Sequence, residues 1–119
     1  MWILCPQAGL ISIIASDRDD DMLVCRARNA GVLKTVFGPD TDEVELDGRD
    51  YAYRAFLPRS TVSAVIAERL LNLSYGNVKG AIDPKNHVLH DAFLKVWHVF
   101  ERIGDRPAYS HRQTSKGAK

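Results

Sequence analysis

The sequence predicts an α+β domain: an antiparallel sheet of two hairpins with helices packed on one face, compatible with a ferredoxin-like relative. Three observations predict it. Leu23, Cys25 and Ala27 alternate with Val24, Arg26 and Arg28, the period-2 signature of a half-buried strand. An Asp47-Gly48 turn signal separates two β-prone runs. Two later stretches, 62–73 and 89–103, carry apolar residues at helical spacing.

Taken in order, residues 2–5 and 10–15 are rich in Ile, Leu and Trp and read as strands. The polar run Asp17–Asp21 is a turn, and 22–28 returns as the second arm of a hairpin. Asn29 is the expected N-cap of a short helix carrying Val32, Leu33, Val36 and Phe37, which Gly38-Pro39 stops. Glu43–Glu45 and Tyr51–Leu57 form the second strand pair. Ser60 or Thr61 is expected to cap an amphipathic helix bearing Val62, Val65, Ile66, Leu70 and Leu73, with Gly76 at its end. Asp83-Pro84 opens the last helix, whose stripe is Leu89, Ala92, Phe93, Val96, Trp97, Phe100 and Ile103.

At 119 residues the chain suits one hydrophobic core. The expected organisation is a single domain over 1–104 and a flexible, polar and basic tail over 105–119. The net charge of +1 gives no global pull toward nucleic acid or membrane. Its distribution is uneven: residues 1–50 carry ten acids and five bases, residues 51–119 five acids and eleven bases. Cys5 and Cys25 have apolar neighbours and no paired spacing. They are expected as buried free thiols, which suits a reducing cytoplasm. No apolar run approaches the roughly 20 residues of a membrane helix, and the N-terminus reads as a strand, not a signal peptide.

Four groups of residues are candidates for function. His87, Asp91 and His98 fall within about 40° on the last helix, but His98 lies about 10 Å beyond Asp91 along the axis. The group, with His90, reads as a solvated face before it reads as a metal site. The acidic runs fail the calcium-loop pattern, because Met22 and Arg28 stand where Gly and Glu are required after Asp17. They remain candidate protein contacts through Asp19, Asp20, Asp21, Asp42 and Glu43, the two turns acting as one negative patch. Arg26, Arg28 and Arg54, flanked by Tyr51, are candidate nucleic-acid contacts if their strands are neighbours. The plainer expectation pairs these arginines with Glu43 or Glu45 across strands. Trp97, on the edge of the last helix's apolar face, is a candidate partner anchor. Tyr75-Gly76-Asn77 reads as a structural turn. The sequence lacks a nucleophile elbow, a phosphate loop and a dinucleotide fingerprint, so no catalytic residue, cofactor or metal ligand is expected.

Arg26-x-Arg28, Tyr51-x-Tyr53-Arg54-Ala55, Tyr75-x-Asn77-x-Lys79 and Val96-Trp97 together resemble a family of small bacterial and phage proteins of about this length. The resemblance spans residues 10–100 and implies one shared fold; it carries over no activity and no functional residue. The expectation is a non-enzymatic regulator or inhibitor with a protein partner. Small proteins of this style on phages and mobile elements act in that way on host defence or nucleoprotein complexes, as anti-CRISPR proteins do. A nucleic-acid-binding module is the alternative, a small metal-dependent enzyme on the last helix comes third, and a homodimer stays open.

Overall fold

A computed structural model describes residues 1–107. The part of the expected tail beyond 107 lies outside the described residues. The chain divides into two compact units, Met1–Asp83 and a second that begins at Pro84.

The first unit contains five strands: β1 (Trp2–Cys5), β2 (Gly9–Ala15), β3 (Met22–Ala27), β4 (Val44–Glu45) and β5 (Tyr53–Pro58). They form one sheet in the order β1-β2-β3-β5-β4, with every neighbouring pair antiparallel. This is the predicted α+β architecture. The first three strands form a meander, and the β4–β5 hairpin joins it through β5, which pairs with β3 along its whole length from Met22↔Pro58 to Ala27↔Tyr53.

Side chains alternate across the pleat, and the apolar set decides which face is covered. Ile11, Ile13, Cys25, Ala27 and Ala55 pack in one buried cluster with Val32, Leu33, Val36 and Val62. The last four come from α1 (Val32–Phe37) and α2 (Arg59–Leu71), so both helices lie on this face. Cys5 and Cys25 are buried free thiols, and burial pushes the Cys25 thiol up to about 11.

The helix ends depart from the local capping signals. Helix α1 starts after Gly31, which takes left-handed φ (83°), not after Asn29. Its first N–H groups go to the Glu43 carboxylate: Gly31 N donates to Oε2 at 2.9 Å and Leu33 N to Oε1 at 3.3 Å. Helix α2 follows directly on β5 with Pro58 at its cap and no side-chain cap bond. Neither Ser60 nor Thr61 is needed there, because Arg59 ties the helix start to the β2–β3 turn: its N donates to Asp21 O (2.8 Å) and its Nε to Asp20 O (2.6 Å). The helix ends at Asn72, ahead of Gly76. Val62, Val65 and Ile66 meet the core as expected, whereas Leu70 and Leu73 are exposed.

The second unit contains α3 (His87–Arg102), capped by Asn86, whose side chain accepts from Leu89 N at 3.1 Å. The cap thus lies three residues beyond Asp83. No helix among the described residues is long and apolar enough to cross a membrane.

Candidate functional site

The face of the sheet opposite α1 and α2 carries the groups the core could not accept. The registers place Trp2, Ser12, Arg26, Arg54 and Val44 in one row across all five strands. The next row holds Ile14, Val24 and Phe56. Arg26 and Arg54 therefore stand directly opposite each other on β3 and β5, in neighbouring strands as the nucleic-acid reading requires.

Two like charges side by side are unfavourable unless something offsets them. Arg26 has partial compensation: its Nη2 donates to Ser12 Oγ at 2.6 Å, and its guanidinium lies 4.6 Å from the centre of the Tyr51 ring. Arg54 has less. Burial, then Arg26 and Arg49, lower its proton affinity below the ordinary arginine value. The Nε atoms of both arginines are buried and bond to no group among the described residues.

Arg28 lies beyond the end of β3 and is differently placed. It forms a bidentate pair with Asp50, Nε to Oδ1 at 3.1 Å and Nη2 to Oδ2 at 3.0 Å. The Asp50 hydrogen bond is the main reason its proton affinity rises. Its guanidinium is 4.4 Å from the Tyr51 centroid. Tyr51 is thus covered by two arginines and is only 6% exposed. It supports the arginines and leaves no ring face for a nucleic-acid base.

The expected pairing of these arginines with Glu43 or Glu45 does not occur, because both carboxylates serve elsewhere. Glu43 holds the start of α1. Glu45 accepts from the Tyr53 hydroxyl at 3.2 Å, and its charge, with burial second, raises the Tyr53 phenol. Asp19, Asp20 and Asp21 sit at the end of the sheet where Met22 pairs with Pro58, and Asp47, in the β4–β5 turn, at the other end, where Ala27 pairs with Tyr53; Asp42 and Glu43 precede β4, whose Val44 pairs with Arg54. Six residues of strand separate the two ends by roughly 17 Å. Asp42 is exposed, and Asp19 Oδ1 accepts from Asp21 N at 2.9 Å.

On α3, Trp97 is partly exposed and meets His98 edge to face at 5.0 Å. Asp91 pairs with Lys95 at 3.2 Å and His98 with Glu101 at 3.3 Å. Among the described residues no three His, Cys, Asp or Glu side chains gather as a metal-binding group.

Sequence reasoning gave Ser12 no role. The available signal was a single hydroxyl within Leu10-Ile11-Ser12-Ile13-Ile14, at the parity that turns away from the core. Arg26 and Arg54 offer hydrogen-bond donors to an anion in half-buried surroundings, where charge-assisted bonds are strongest, and Ser12, itself 1% exposed, holds the Arg26 guanidinium. They contain no paired nucleophile and base. No family model, curated protein or solved structure matches the chain.

Proposed function

We propose that the chain is a non-enzymatic binding protein that captures a carboxylate-bearing protein partner on the Arg26–Arg54 face, and so acts as a regulator or inhibitor of a larger complex. One observation carries the reading: two adjacent, half-buried guanidiniums with no carboxylate partner among the described residues. A partner carboxylate bridging their outer N–H groups would relieve their repulsion. The surroundings favour protein over nucleic acid. Phe56 and Ile14 expose apolar surface in the adjoining row, and arginine with aromatic neighbours is the composition of interface hot spots. The ring that would stack a base is already covered.

The test is a pull-down of C-terminally tagged chain from bacterial lysate, with and without nuclease, beside an Arg26→Gln/Arg54→Gln variant. The expected result is a stoichiometric, nuclease-resistant protein that the variant loses, with affinity down about 30-fold or more, the effect of truncating a hot-spot arginine. Recovery of nucleic acid alone, or of the same protein by the folded variant, overturns the reading.

A further inference from the structure

The edge of the sheet formed by β1 has its hydrogen-bonding groups turned outward. Met1 and Ile13 exchange both backbone bonds, Met1 N to Ile13 O at 2.7 Å and Ile13 N to Met1 O at 2.8 Å. In an antiparallel pair such exchange occurs at every second residue. With Ile3 opposite Ile11 and Cys5 opposite Gly9, residues 1, 3 and 5 bond inward to β2. Trp2 and Leu4 therefore direct their N–H and C=O groups away from the sheet. No group among the described residues bonds them there, because β1 ends the strand order.

Natural edges are shielded by charge, proline, bulges or brevity. The opposite edge, β4, is only two residues long, includes Glu45 and is flanked by Asp42, Glu43 and Asp47. Strand β1, although only four residues long and followed by Pro6, carries no charged side chain and no bulge along Trp2-Ile3-Leu4-Cys5. Apolar surface surrounds it. Trp2 is 72% exposed, and on the α2 side Leu70 is 65% exposed, in an apolar groove that Ile3, Ile13 and Ile66 also line.

We infer that β1 is the interface of a homodimer in which the β1 strands of two copies pair antiparallel across a two-fold axis at Ile3. The register is self-complementary. Trp2 exchanges both backbone bonds with the partner's Leu4, and Leu4 with the partner's Trp2, so all four outward groups of each copy are satisfied. An isologous contact of this kind closes on itself, whereas pairing β1 with the far edge of another copy would propagate as a fibre. Met1, Trp2, Leu70 and Leu73 add exposed apolar surface that such a pairing would cover on both sides of the strand, toward the ~800 Å² each partner gives up in a standard interface. The inference is independent of the arginine face, since Arg26 lies two strands inward from this edge.

Sedimentation of the full chain, tagged at neither end, tests it. The wild type should sediment as a dimer at sub-millimolar concentration and dissociate on dilution. Leu4→Pro removes an outward N–H and should give a folded monomer; Leu70→Glu should weaken the dimer at least tenfold. A wild type that stays monomeric at the highest concentration overturns the inference. So does a dimer that persists in folded Leu4→Pro. If Leu4→Pro does not fold, hydrogen exchange in the wild type decides: Trp2 and Leu4 amides should be protected, and exchange as fast as in open loops overturns the pairing.

Discussion

Three residues show how burial sets chemistry here. Cys25 lies in the middle of β3, fully out of water, and its thiol is pushed from 9.0 up to about 11 because the thiolate would lose its hydration. Below about pH 9 both folded and unfolded chains hold this proton, so it has no effect on stability. Between about 9 and about 11 only the unfolded chain releases it, so stability falls as pH rises. At 1.36 kcal/mol per pKa unit the full loss is about 3 kcal/mol, of which about 2 kcal/mol is reached by pH 10.5. The check is the urea midpoint at pH 8.5 and 10.5 for wild type and Cys25→Ala. The variant is weaker at both pH values but should lack this share of the slope; equal slopes would contradict the account. Arg26 and Arg54 show the opposite case, permanent charges held partly out of water. The outward parity of Arg26 was legible from alternation alone; that of Arg54 was not. Nor was their adjacency, because it depends on β3 choosing β5 as neighbour across some thirty residues of chain.

Helix α1 illustrates what an element owes to distant residues. At six residues it is far below the length at which a helix persists alone. Val32, Leu33 and Val36 anchor it in the core. Its start is held by the Glu43 carboxylate, and at its other end Arg69 Nη2 donates to Thr35 O at 3.1 Å. Glu43→Ala should cost about 1–2 kcal/mol, the scale of a lost cap with a charged acceptor. A urea midpoint equal to wild type would show that the carboxylate does not carry the helix. The stripe of α1 was readable from the spacing of its apolar residues. The cap was not: local rules select Asn29, whereas the acceptor comes from twelve residues beyond Gly31. The same holds for α2, where a tertiary tie from Arg59 to the β2–β3 turn replaces a local Ser or Thr cap. Strand existence and parity, by contrast, were almost wholly legible, since alternation is a property of each strand alone.

For the whole molecule, the strand order has a consequence during synthesis. Strands β1, β2 and β3 are contiguous and can pair as they leave the ribosome, but β5 follows β3 by about thirty residues. At 5–20 residues per second, the second edge of β3 stays uncovered for roughly two to six seconds. That edge displays Leu23-Val24-Cys25-Arg26-Ala27, an apolar β-prone segment of the kind that seeds aggregation unless a charge interrupts it. Arg26 is that charge. Replacing it with valine should improve the match to the apolar parts of the finished sheet yet lower the soluble fraction on expression several-fold at 37 °C, with partial recovery at lower temperature. Unchanged solubility would confine Arg26 to its role in the folded chain. The arginine that is costly to bury in the native sheet is, on this account, a gatekeeper for a nascent one.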